Sequence, residues 1–251
     1  MSASPHSHPA YTVLNADGDP ATLLICDHAS NFVPAEYHGL GLPGEAFARH
    51  IAYDLGAASV TAELARLLNA PAVLAGFSRL LIDPNRGADD PTLVMKLSDG
   101  AIIPGNRNAD AGVIADRIAR YYQPYHGAIA DRIAAARAQG VSPALLSLHS
   151  FTPVFQGHER PWHIGILWDR DGRIAQPLLQ SLTADGNLCV GDNLPYSGEL
   201  TGDCMYQHGT QNGLAHVLIE LRQDLIADPH GVAHWAQLLA EHLRPILHSI
   251  K

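Results

Sequence analysis

The sequence predicts a single α/β domain built on a largely parallel sheet. Two observations predict it. Short apolar runs alternate along the chain with longer segments of three-to-four periodicity, the pattern of strands alternating with helices. Three of those runs also stop directly on an ionisable residue, as parallel strands do when their carboxyl ends open onto a ligand crevice. No internal repeat or long linker divides the chain, so residues 11–251 read as one domain behind a flexible tail, residues 1–10.

Taken in order, Thr22 to Cys26 is an apolar run too short for a helix and bounded by the polar turn Asn15 to Asp19, hence a buried strand. Asn31 to Gly44 is loop, broken by Pro34 and Pro43. From Glu45 to Leu68, Ile51, Leu55, Ala58, Val60, Leu64 and Leu67 recur at helical spacing. Pro71 to Gly76 reads as the next strand, Ser78 to Gly87 as a polar-rich run, and Ala88 to Gly105 as loop. Ala109 to Ala138 is predicted helix, broken at most once near Pro124. Strands follow at Ala144 to Leu148, His163 to Trp168 and Leu188 to Val190, with a helix from Ile174 to Ala184. Gly191 to Gly202 is loop, His216 to Arg222 a strand, and His230 to Leu247 an amphipathic helix.

Composition narrows the function. Hydrophobic residues make up 47% of the 251 and charged residues only 16%, below the usual level of about 25%. Net charge is 16 − 25 = −9, which argues against a nucleic-acid partner, though local arginines can still bind a small anion. Cys26, Cys189 and Cys204 show no CxxC spacing and read as reduced thiols of a cytoplasmic protein. The first residues lack the apolar stretch of a signal peptide, and no run approaches a membrane span.

The three runs that end in ionisable residues give His28, His149 and Glu220. Parallel strands would bring them to one sheet edge, where two histidines and a carboxylate suit a catalytic metal with a general base beside it. A third ligand is needed. Asp54 shares a helix face with His50, four residues away; alternatively both face solvent. Asn31 is a weaker candidate, and Asp27 would orient His28. Arg79, Asn85, Arg86 and Arg222 are candidate anion readers, Arg222 by lying on the strand face of Glu220; ordinary salt bridges are the alternative. The Gly105-Asn106-Arg107 turn is a weaker one. No GxSxG, P-loop or GxGxxG is present. Cys26 reads as an inert core residue.

The segments Cys26-Asp27-His28-Ala29-Ser30-Asn31, His50 to Asp54, Arg79 to Arg86, Leu148 to Pro153 and Val217 to Arg222, with Gly191-Asp192-Asn193 and Pro195-Tyr196-Ser197, together resemble the N-formylglutamate amidohydrolase family. The resemblance implies a mixed sheet with helices on both faces, phosphorylase/hydrolase-like and related to the zinc carboxypeptidases. It further implies metal-dependent cleavage of an N-acyl amino acid such as N-formylglutamate. Glu220 matches the family's catalytic glutamate, and Asn85-Arg86 a pair that holds the substrate carboxylate. One departure stands out: Phe32 occupies the position four after His28 where family members usually carry an acid, and Asn31 the position three after. The expectation is a divalent metal, most readily zinc, held by His28, Asp54 and His149. Glu220 is then the base, and Arg79, Asn85, Arg86 and Arg222 bind a small acyl amino acid. The alternatives are a metallo-carboxypeptidase or other deacylase, and a ligand-binding relative without catalysis.

Overall fold

The computed structural model describes residues 8–184 and 186–250. Seven strands form its central sheet: β1 (Tyr11–Leu14), β2 (Thr22–Cys26), β3 (Ala72–Ala75), β4 (Ala144–Phe151), β5 (Ile164–Leu167), β6 (Val190–Asp192) and β7 (His216–Arg222). Their spatial order is β1-β3-β2-β4-β7-β5-β6. The central strands β3, β2, β4 and β7 run parallel. β1 joins β3 antiparallel, β5 joins β7 antiparallel, and β6 follows β5, which makes the sheet mixed.

Strand alternation sends side chains into two cores. Leu23, Ile25, Leu145 and Leu218 pack on one face with Tyr125, Ile129 and Ile133 of the helix α3 (Gln123–Ala138). Leu24, Leu146, Leu148, Val217 and Ile219 pack on the other with α1 (Ala57–Leu68), α4 (Ala175–Ala184) and α5 (Pro229–Ser249). The central strands are therefore buried on both sides, which is why they read as continuous apolar runs. Helix α5 starts on Pro229, with the Asp228 carboxylate accepting from Gly231 N–H, a regular N-cap.

Two expectations change. The predicted helix from Glu45 begins only at Ala57. Its N-cap, Gly56, has φ +79°, and a Cβ there would lie 2.5 Å from the Ile226 carbonyl oxygen. Neither a helical φ nor a side chain fits, so Arg49 to Leu55 form turns instead. The long helix is broken once near Pro124, as expected: one π turn, Ile118–Tyr122, separates α2 (Ala111–Arg117) from α3. β1 was not anticipated: it is four residues long and half-exposed. Residues 1–7 of the expected tail lie outside the described residues. Ala10 is already held, its carbonyl accepting from Gly76 N–H at 2.9 Å. Among the described residues no helix is long and apolar enough to cross a membrane.

Candidate active site

Because β2, β4 and β7 are parallel neighbours, their carboxyl ends share one sheet edge. His149 and Glu220 are register partners on β4 and β7, and His28 follows β2 by two residues. Asp54 enters from the turn before α1, its N–H donating to the His28 carbonyl at 2.9 Å. All four side chains are buried.

The hydrogen bonds give each ring an inner and an outer nitrogen. His28 Nε2 faces Asp83 Oδ1 at 2.7 Å, and His149 Nε2 faces Asp27 Oδ2 at 3.0 Å. The two Nδ1 atoms both turn to one oxygen, Asp54 Oδ2, at 3.3 and 2.8 Å. Asp27 is fixed in turn by Tyr125 and Ser147, whose hydroxyls donate to it at 2.9 and 3.1 Å. A carboxylate on the outer nitrogen of each histidine is the arrangement that aims the inner nitrogen at a metal. Asp54 Oδ2 can only accept, so the two ring Nδ1 atoms facing it must either carry protons or share a cation with it.

The electrostatics follow from this. Burial alone would push the acids up, but the charge of His28 and the hydrogen bonds of His149 and His28 hold Asp54 well below the usual carboxylate range. Burial opposes ionisation of Asp83 too, and the charges of His28 and Arg79 keep it low. At Asp27 the hydrogen bond and charge of His149 outweigh burial and bring it to about 2. His149 moves the other way: burial disfavours its charge, yet hydrogen bonds to Asp27 and Asp54 raise it well above the ordinary histidine value. Glu220 has no such partner. Burial pushes it up to about 8, and its Oε2 is buried without a hydrogen bond. His50, also lining the site, is pushed down to about 4 by burial.

These groups open onto a cavity of about 530 Å³, also lined by Arg79, Asn85, Arg86, Tyr196 and Asp203. Arg79 reaches Asp54 and Asp83 at 3.4 and 3.3 Å, so its fork braces the acidic cluster. Arg86 makes no ion pair among the described residues; its guanidinium donates to the neighbouring Asn85 carbonyl at 3.1 Å. The loop carrying Arg86 is pinned from several sides. His126 Nε2 lies 3.0 Å from the Pro84 carbonyl, Cys204 N–H donates to Asn85 Oδ1 at 3.0 Å, and Tyr122 OH donates to the Arg86 carbonyl at 2.8 Å.

Residues 21–227 match the N-formylglutamate amidohydrolase family. The chain belongs to that family. It is therefore a hydrolase of linear amides by descent. It is similar to the gene product Atu2144 from Agrobacterium tumefaciens, with 36% identity, TM-score 0.92 and 96% of each chain covered. It is also similar to the N-formylglutamate amidohydrolase from Ralstonia eutropha JMP134, with 22% identity and TM-score 0.74, over 97% of this chain and 98% of that one. A putative carboxypeptidase A from Shewanella denitrificans OS-217 is more distant, at 11% identity and TM-score 0.44, over 96% of this chain and 66% of that one. No match is found among curated proteins.

In this amidohydrolase the predicted residues His28, Asp54, His149, Glu220, Arg79, Asn85 and Arg86 line one cavity. Arg222 does not. It is the last residue of β7, paired with Phe151, and its side chain is bound to Asp224 at 2.8 Å and to the backbone carbonyls of Arg160 and Pro161. Strand period alone put it beside Glu220; the adjacent acid captures it. Asn31 also lies apart, donating to the Phe47 carbonyl at 2.7 Å, and Phe32 is exposed against the His8 ring. The Gly105 turn serves the core, where Asn106 binds the Leu80 and Met95 carbonyls. Asp27 orients His149 rather than His28. Asp83 was missed as the partner of His28, although Leu80-Leu81-Ile82-Asp83 repeats the signal of an apolar run ending in an ionisable residue. A second group of metal-ligand type, His126, Cys204 and His208, lies nearby; its rings are already bonded to each other at 2.8 Å and to the Pro84 loop.

Proposed function

We propose that this family member is a metal-dependent amidohydrolase that cleaves the N-acyl amide of an amino acid bearing a carboxylate. The observation that carries the reading is the convergence of His28 Nδ1, His149 Nδ1 and Asp54 Oδ2 beside the unpartnered Glu220 Oε2. Candidate ligand atoms of the three residues lie within 4.8 Å of one another. Two imidazoles and a carboxylate, each imidazole backed by another carboxylate, are a donor set that suits zinc. Bound there, the ion would polarise the scissile carbonyl and ease deprotonation of water.

The protein's own groups supply the rest. Glu220 Oε2 takes the proton of the attacking water as the new C–O bond forms. It returns that proton to the nitrogen as the C–N bond breaks, leaving a carboxylic acid and a free amine. Arg86 holds the substrate carboxylate, since its planar fork matches one and no carboxylate among the described residues occupies it. The Asn85 side-chain NH₂ stands beside it, its oxygen being committed to Cys204 N–H. Arg79 keeps Asp54 and Asp83 ionised and in place.

The substrate part of this reading is tested at Arg86. Arg86→Ala should weaken binding of a carboxylate substrate by roughly 1.5–3 kcal/mol. The neutral amide analogue should lose much less. Equal losses on both would make Arg86 a structural residue.

The pH dependence has a definite sign. A base must be ionised to accept a proton, and burial raises Glu220 above its ordinary value. A bound cation pulls it back down, without restoring full hydration. The rate should therefore rise with pH on an acid limb centred above the ordinary glutamate value of about 4.3. A kcat/KM profile that stays flat down to that value would place the base elsewhere.

A further inference from the structure

Arg160 is a buried cation without an anion. It follows the hairpin of Val154–Phe155 and His158–Glu159 that comes after β4, and its N–H donates to the Pro153 carbonyl at 2.8 Å. Arg222 holds its carbonyl from the other side at 3.4 Å. Only 9% of the residue is exposed. Its guanidinium lies 4.6 Å from the centre of the Phe155 ring, 5.0 Å from Tyr196 and 5.8 Å from Phe151. Nη1 donates to Tyr196 OH at 3.0 Å and to Thr152 Oγ1 at 3.5 Å. Among the described residues Nε and Nη2 make no hydrogen bond, and no carboxylate pairs with the group.

Its neighbours tie this cation to the cavity. Thr152, Phe155 and Tyr196 line that space. So do Glu220 and His50, where the charge of Arg160 favours the deprotonated forms. Aromatic faces attract and orient a guanidinium, but they leave its N–H donors unsatisfied. A charge this deeply buried ordinarily has an anion beside it. Arg49 is paired with Asp99 at 3.2 Å, and Arg79 with Asp54 and Asp83. Arg86 and Arg160 are thus two cations at one site that meet no carboxylate among the described residues. Tyr196 OH accepts from Arg160, so its own proton is left for a ligand.

We propose that Arg160 is a specificity-determining residue that binds a second, side-chain carboxylate of the substrate while Arg86 binds the first. This rests on the amidohydrolase reading above and deepens it: the substrate is an N-acyl amino acid with two carboxylates. Tyr196 would donate to the same carboxylate, and the three rings would hold the guanidinium in place for it.

The test compares N-formylglutamate with N-formylglutamine, which differs only in exchanging the side-chain carboxylate for a neutral amide. The metal-loaded protein should prefer N-formylglutamate in kcat/KM by at least about tenfold, the scale of one charged hydrogen bond. Arg160→Gln should bring the two substrates within about threefold of each other, with the change carried mainly by KM for N-formylglutamate. Arg160→Lys keeps a charge in place and should retain an intermediate preference, which separates loss of the charge from loss of the fold. The inference is overturned if the parent protein shows no preference. It is also overturned if both substrates lose equally in Arg160→Gln and the ratio persists, since Arg160 would then hold the hairpin rather than the substrate. Hydrolysis of neither compound by the parent protein would instead contradict the amidohydrolase reading.

Discussion

Replacing Glu220 by glutamine should leave the fold and the metal affinity in place and lower turnover by about 10²–10⁴-fold, the usual cost of losing a general base. Glutamine is nearly isosteric and is neutral. Glu220 has no hydrogen bond at Oε2 to lose and is itself held toward its neutral form by burial. Removing its charge therefore relieves a desolvation cost, and thermal stability should stay level or rise. A steady-state comparison on one substrate, with a melting curve for each protein, checks both halves. A variant with near-native turnover would move the proton acceptor to another group.

The second large effect is expected at Asp54. Asp54→Asn should cut metal affinity by more than the 10–100-fold typical of losing a partner behind a ligand. The physical reason is specific to this site. Two ring nitrogens point at Asp54 Oδ2, and a carboxylate can only accept. An amide oxygen can keep those contacts and the one from Ser150 N–H, but it brings no charge to hold a cation. The variant should thus fold as well as the parent in chelator while binding zinc far more weakly in calorimetric titration. Unchanged zinc affinity would remove Asp54 from the ligand set.

How legible all this was depended on where the information lay. β2, β4 and β7 could be read because each is buried on both faces, so its whole length is apolar until it meets an ionisable residue. Parallel order then brings His28, His149 and Glu220 together with no further input. Asp54 was legible as a residue but not as geometry: it lies on a turn, because Gly56 stops helix α1 from extending back to it. β1 escaped because a short, half-exposed edge strand carries no apolar run. The roles of Asp27 and Asp83 depend on which nitrogen of which ring they meet, across separations of 122 and 55 residues. Arg222 shows the limit of strand period, which fixes a face and says nothing of which neighbour captures the side chain.

The proposed chemistry depends on a cation among His28, Asp54 and His149. The direct measurement is elemental analysis of protein purified without chelator, with activity followed as the metal is removed and restored. Close to one divalent metal per chain, zinc first, is expected. Activity should fall with metal content in chelator and return on readdition, and His149→Ala should neither retain the metal nor recover. Full activity in protein that carries no metal and ignores chelator would contradict it.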